Sequence, residues 1–374
     1  MKLLHLVLDD KFTYSACDNF NKFESVDNSW VVIASGDLTY LKGSEFKKVS
    51  AREALLPDFK KFIKDFDFVI VHSLSKEHCD IVNGNPHNYL WVGMGFDYYE
   101  YINIDIYLSF SKRAEMYFVF KQKVKLFLSK FLKLNFGLAG NRYRAINLIS
   151  HFAPVLPGEY SGVKRIFNHL KYVEWNYGSG TSLLSNNLEL KSDAGSILIG
   201  NSSDPSNNHY EVIEMLSSLN VADRDIILPL SYGSVSYKKK LLNKIKTFDD
   251  FNFQVLEGFM PKEKYFDLLS DCGVVIMNHI RQQAGANISV MLFMGAKVFL
   301  NSKSPFYDLY KSKGAVIYST DDMVRDPELL NGRLDSKSIL LNRSIVNGFS
   351  KREAIDRKTE LLIDTLRGFK ASSS

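Results

Sequence analysis

Cysteine is scarce in this chain. Cys17, Cys79 and Cys272 are the three in 374 residues, far apart, odd in number and in neither CxxC nor zinc-site spacing. That excludes a disulfide framework and leaves three free structural thiols. Long apolar runs are missing as well. No stretch approaches the roughly 20 residues that a membrane-crossing helix needs, and the opening LLHLVLDD reaches Asp9 too soon for a signal-peptide core, so it reads as a first strand. A cytoplasmic protein is the expectation. The chain also lacks GxSxG, GxxxxGK[ST] and a GxGxxG in a first strand-to-helix turn, which removes the usual support for a serine hydrolase, a P-loop NTPase or a simple NAD dehydrogenase. It has no HExxH and no spaced Cys/His cluster, and Asp9 and Asp10, being adjacent, point to different sides of a strand. No metal and no other cofactor is expected.

What is present suits two globular cores. The length exceeds one typical domain, and 45% hydrophobic with 24% charged residues is ordinary for a soluble fold. The net charge of +5 is unevenly spread. Between Ser111 and Asn147, Lys112, Arg113, Lys121, Lys123, Lys125, Lys130, Lys133, Arg142 and Arg144 face one acid, Glu115, and alternate with aromatic and aliphatic residues. Such a stretch suits an anionic membrane surface, or equally a core helix with a solvated lysine face. Without a reader motif it gives little support to nucleic-acid binding.

Short β-type runs alternate with helical spacing throughout, the pattern of parallel sheets flanked by helices. LLHLVL, WVVIAS, FDFVIVHSL and NYLWVGMG predict strands in the first half, with further βα units from RAINLIS and KRIFNHLKYVEW. After a polar, Gly/Ser/Asn-rich stretch, SILIGNS, DIILPLS, FNFQVLEGF, CGVVIMNH, AKVFLN and GAVIYST predict a second set, with helices over 237–246, 261–270 and 285–294. The resulting division is an N-terminal Rossmann-like domain over 1–180, a linker over 181–194, a C-terminal Rossmann-like domain over 195–345 and a closing helix over 346–370.

Two loops at strand ends carry the chemistry of anion binding. In SILIGNSSDPSNNHYEVIEML an apolar strand breaks at Gly200 into Asn201, Ser202 and further small polar residues, then resumes as a helix. In MNHIRQQAGANISVMLFM a strand gives way to Arg281, Gln282 and Gln283 before a helix near Gly285. Backbone N–H groups at a helix start favour negative charge, and arginine pairs with phosphate oxygens. Both loops together suit a diphosphate, with the Ala284-Gly285-Ala286 run letting it approach the helix. Tyr232, after ILPLS, and the LEGFMP turn at 256–261 are candidates to meet the attached base. In the first half Asp9, His72 and Asp97 fall at strand ends, where a carboxylate or imidazole could take a proton from a hydroxyl.

ILIGNSSDPSNNH, ILPLSYG, IRQQAGANI, LNSKSPF and LWVGMGFDYYE resemble the bacterial family that transfers 4-acetamido-4,6-dideoxygalactose from its TDP-sugar to the lipid-linked intermediate of enterobacterial common antigen, glycosyltransferase family 56. One departure is that Ala284 stands where the family pattern has glycine. The resemblance implies the GT-B fold, an α/β architecture of two facing Rossmann-like domains with a central cleft. It also implies a nucleotide diphosphate sugar held without metal, mainly by the C-terminal domain, through Gly200, Asn201, Ser202, Tyr232, Arg281, Gln282 and Gln283, with the acceptor held by the N-terminal domain. The expectation is a glycosyltransferase that moves a deoxy- or aminodeoxy-hexose to a lipid-linked saccharide, peripheral on the inner face of the cytoplasmic membrane. Asp97 or His72 would be the base if the anomeric centre inverts. Two other readings stay open: a nucleotide-sugar epimerase, and a non-catalytic partner in a polysaccharide assembly complex.

Overall fold

The computed structural model describes all residues except 11, 103–105, 107–119, 121–123, 125–136, 179–187, 220, 222, 223, 351 and 374. Most of the basic stretch and half of the expected linker therefore lie outside the described residues. The chain divides into two compact units. One takes in the described residues of Met1–Ile104, Lys121–Gly178 and Arg352–Ser374, the other those of Asp105–Phe120 and Ser179–Lys351.

The first unit is built on β1 (Lys2–Val7), β2 (Asp27–Ile33), β3 (Phe46–Val49), β4 (Phe68–His72), β5 (Tyr89–Val92), β6 (His151–Ala153) and β7 (Lys171–Tyr172). All pair in parallel, in the order β3-β2-β1-β4-β5-β6-β7. The central strands are buried on both faces, so FVIVH and YLWV read as unbroken apolar runs without alternation. The second unit has β8 (Ile197–Ile199), β9 (Asp225–Pro229), β10 (Asn252–Leu256), β11 (Val274–Met277), β12 (Lys297–Leu300) and β13 (Tyr318–Ser319), again parallel, in the order β10-β9-β8-β11-β12-β13. In each sheet the order reverses once, between β1 and β4 and between β8 and β11. Ligands of open α/β sheets bind beyond the carboxyl ends of the strands at such a reversal.

Several local expectations change. RAINL, read as strand, is the end of the helix Gly137–Leu148, and the strand follows it at His151–Ala153. KRIFNHLKYVEW is mainly turns after the helix Tyr160–Lys164, its buried Phe167, Leu170, Val173 and Trp175 lacking helical spacing. The edge strand β3, FKKV, escapes notice because its two central residues are exposed lysines. The closing helix spans Arg352–Ser373 and is preceded by a separate helix, Ser336–Ser350. Leu362, Ile363 and Leu366 of the closing helix join the core of the first unit, and Thr359 accepts a hydrogen bond from the Trp175 indole at 3.0 Å. The C-terminus thus completes the unit that the N-terminus begins. Among the described residues no helix is long and apolar enough to cross a membrane.

Candidate functional site

At the reversal of the second sheet, the buried β8 leads into Gly200, whose φ of +65° lies in the left-handed region. A Cβ there would sit 2.7 Å from His209 Nε2 and 2.9 Å from Asn207 Oδ1. Glycine is demanded by both backbone and packing. Asn207, fully buried, staples the loop: its Oδ1 accepts from Asn201 N at 3.1 Å, while Nδ2 donates to the carbonyls of Ser202 (3.1 Å) and Asp204 (3.0 Å). Asp204 caps the short turn Pro205–Asn207 by accepting from Ser206 N at 2.9 Å. Asn208, in the left-handed conformation, donates to the Asn278 carbonyl at the end of β11 at 2.9 Å. The helix His209–Ser218 follows.

The second loop is knitted to the first by side chains. Arg281 Nε donates to Ser206 Oγ at 3.0 Å and to Gln283 Oε1 at 3.1 Å, and an Arg281 Nη2 lies 3.6 Å from Asp204 Oδ2. Gln283 Nε2 donates to Asn201 Oδ1 at 3.0 Å, and Asn201 Nδ2 donates to Tyr232 Oη at 2.8 Å. Asn201, Tyr232, Arg281 and Gln283 are thus brought together as expected from their positions in the chain, but they spend much of their hydrogen-bonding capacity on one another. Ser202 is buried beneath them and accepts from Asn207 Nδ2 at 3.1 Å. Gln282 stays half-buried. The helix Gly285–Met294 then starts with no side-chain cap and no acid in its first turn, leaving its N–H groups and its dipole beside Arg281. Burial drives His209 and His279 down to about 3, so both imidazoles are neutral near pH 7 and the positive charge here comes from Arg281.

One expectation at this helix start needs correction, and one departure finds its cause. Gly285 does not open a path for a ligand: a Cβ there would fall 2.6 Å from the Phe306 ring, so the glycine admits that ring. Ala284 adopts φ 59° and ψ 21°, which accounts for glycine in the family pattern at a position where this chain tolerates a strained alanine.

In the first unit the three expected bases are engaged. Asp9 accepts from the N–H groups of Thr39 (2.5 Å), Tyr40 (2.9 Å) and Leu41 (2.9 Å), whose bonds outweigh the upward push of its burial and hold the carboxyl below its ordinary value. His72 is buried between His5 Nδ1 (3.0 Å from its Nε2) and Tyr177 Oη (2.7 Å from its Nδ1). Its pKa falls well below the usual value through burial and then through His5. Because Asn28 Oδ1, 3.1 Å from His5 Nε2, can only accept, the chain runs one way: Tyr177 donates to His72, His72 to His5, and His5 to Asn28.

Asp97 is fully buried and accepts from Met94 N, Leu74 N and the Trp91 indole at 2.9, 2.9 and 2.7 Å. A general base must present a lone pair to the hydroxyl it deprotonates. In the structure Asp9 and Asp97 brace loops at the strand ends, and His72 lies within a buried hydrogen-bond chain. The neighbouring LWVGMGFDYYE loop is braced a second time by Glu159, to which the Tyr98 and Tyr99 hydroxyls donate, and burial lifts that carboxyl to about 7. Asp10 is bound through Oδ1 to Phe12 N and Thr13 N, while its Oδ2 has no hydrogen bond among the described residues. Sequence reasoning passed over Asn208, whose side chain ties this loop to the end of β11.

Two parallel sheets of this order define the GT-B fold. Solved structures of that fold align along nearly the whole chain. Anabaena Alr3699/HepE in complex with UDP shares 12% identity over 98% of this chain and 100% of its own, with a TM-score of 0.62. Sucrose-phosphate synthase from Thermosynechococcus elongatus shares 8% over 98% and 99%, at 0.61. The lipopolysaccharide outer core galactosyltransferase WaaB, in its apo form, shares 7% over 98% and 99%, at 0.60. Residues 176–343 match the model of the family described as 4-alpha-L-fucosyltransferase, glycosyl transferase group 56, the family that the loop motifs resemble, which supports a glycosyltransferase.

Proposed function

We propose that this glycosyltransferase uses a nucleoside diphosphate sugar whose diphosphate lies at the start of the helix Gly285–Met294, against Arg281 and the Gly200-Asn201-Ser202 loop, without a metal ion. The observation that carries the reading is the pairing of an uncapped helix start with a buttressed arginine at the sheet reversal. The long Arg281–Asp204 contact of 3.6 Å leaves the guanidinium able to meet a second anion. Oriented donors of this kind stabilise the charge that develops on the leaving diphosphate as the sugar moves to the acceptor hydroxyl. HepE was solved with UDP and with UDP-glucose, which supports a nucleotide donor. The matching family's description as a fucosyltransferase supports a deoxyhexose such as fucose or 4-acetamido-4,6-dideoxygalactose.

TDP, UDP, GDP and CDP tested by thermal shift, with and without EDTA, address the donor. A nucleotide at about 100 times its Kd adds roughly 2.7 kcal/mol of stability. The expected result is an EDTA-insensitive rise in Tm that is lost in Arg281→Ala. No shift with any of the four, or a rise abolished by EDTA, rejects the metal-free diphosphate site.

The acceptor we propose is a lipid-linked saccharide reached at the membrane surface, on the strength of the nine basic residues between Lys112 and Arg144. Charge near an anionic bilayer contributes about 1 kcal/mol per lysine. Lys121, Lys123 and Lys125 replaced together by glutamate should reduce sedimentation with vesicles containing anionic lipid at least tenfold and leave nucleotide binding intact. Equal sedimentation of variant and wild type would remove the membrane from the proposal.

A further inference from the structure

The first unit turns apolar side chains outward along one rim. Strands β3, β2 and β1 lie side by side, and the loops that leave their carboxyl ends carry Leu55 and Leu56, then Tyr40, then Phe12, which are 45%, 48%, 53% and 41% exposed. The turn after β3 is braced. Glu53 Oε2 accepts from Ser50 N at 2.8 Å and Ser50 Oγ accepts from Glu53 N at 3.2 Å, while Ala54 N donates to the Ser50 carbonyl and Leu56 N to the Glu53 carbonyl, both at 3.0 Å. Pro57 then opens the helix Pro57–Ile63. Two adjacent leucines held in water by such a turn forgo the burial that a looser loop could give them. Cations flank them: between Lys47 and Lys64 stand Lys47, Lys48, Arg52, Lys60, Lys61 and Lys64 against Glu53 and Asp58. Lys47 Nζ lies 4.7 Å from the centroid of the Phe62 ring, which sets the charge of β3 beside that helix.

We infer that the Leu55-Leu56 turn is an insertion point for an anionic bilayer: the two leucines enter the headgroup region while the flanking lysines and Arg52 meet lipid phosphates. The inference rests on the membrane reading above and adds a contact in a part of the chain separate from the basic stretch at 112–144. An apolar tip flanked by cations is the chemistry of an interfacial contact, because leucine gains by leaving water while lysine and arginine lay their stems along apolar surface and keep their heads at the phosphates. The charge favours a bilayer over a groove on another protein, which would have to neutralise those cations as well as bury the leucines. Its place on the fold agrees. Open sheets take their ligands at the carboxyl ends of the strands, so insertion here brings that end of the unit to the surface where a lipid-linked acceptor lies.

Sedimentation of the full chain with vesicles of phosphatidylcholine, alone or mixed with phosphatidylglycerol, tests this. Wild-type protein should bind the mixed vesicles. Leu55→Ser and Leu56→Ser together should weaken that binding about 10- to 100-fold, with Tm and nucleotide affinity unchanged, because both side chains already stand half in water. Leu56→Trp reads the insertion directly. Trp30, Trp91 and Trp175 are buried, so mixed vesicles should shift the emission of the added tryptophan to the blue, and brominated acyl chains should quench it. Equal sedimentation of the double serine variant and wild type overturns the insertion point and leaves the membrane reading standing, as does a Leu56→Trp emission that bound vesicles neither shift nor quench. Wild-type protein that sediments with neither vesicle defeats the membrane reading and the insertion point with it.

Discussion

Gly200→Ala should destabilise the second unit by about 2–5 kcal/mol and abolish nucleotide binding. An L-residue held at φ +65° costs roughly 1–2 kcal/mol, and forcing a methyl group into a packed interior costs about 1–3 more. The methyl has nowhere to go, since His209 and Asn207 are both fully buried and stand 2.7 and 2.9 Å from the Cβ position. Moving Asn207 releases Asn201 N and the carbonyls of Ser202 and Asp204 together. The tryptophans Trp30, Trp91 and Trp175 all belong to the first unit. Urea unfolding followed by far-UV circular dichroism should therefore show an early phase that tryptophan fluorescence does not see. A variant with wild-type unfolding and wild-type nucleotide affinity would show that the loop does not need its glycine.

Asp97→Ala should have the complementary effect. Removing the carboxylate leaves three buried donors, Leu74 N, Met94 N and the Trp91 indole, without their acceptor. Each orphaned donor costs about 1–3 kcal/mol, so a loss of roughly 3–9 kcal/mol is expected. It should be read by the tryptophan fluorescence of the first unit, with nucleotide binding by the second unit retained at temperatures where the variant is folded. The opposite result, a variant as stable as wild type that binds donor and fails only in transfer, would return Asp97 to the role of acceptor base that its place in the sequence suggested.

These two residues show where sequence reading succeeds and where it stops. Gly200 was legible because an apolar strand, a glycine and a run of cap-forming residues are adjacent in the chain, and the helix Gly285–Met294 because its apolar composition and its preceding loop are local features. RAINL was misread because a short apolar run fits strand and helix alike. The partners of Asp97 were hidden for another reason: an acid at a strand end looks the same whether it faces solvent or accepts from Leu74, which lies 23 positions away. Those of His72 were hidden likewise, being 67 and 105 positions distant.

The sequence by itself determined the class of fold, two sets of alternating strands and helices, together with the two polar loops proposed to hold the diphosphate and the family they resemble, because periodicity, glycine and cap residues act over a few neighbouring positions. Only the tertiary structure decided what those polar groups do. It linked Ser206 to Gln283 across 77 positions and Asn201 to Tyr232 across 31, engaged Asp9, His72 and Asp97 in hydrogen bonds, sent the last helix back to the first unit, and left Phe259 in solvent beside Tyr232. Hydrogen-bond partners and burial are set by which strands lie side by side, and strand order is a property of the folded chain.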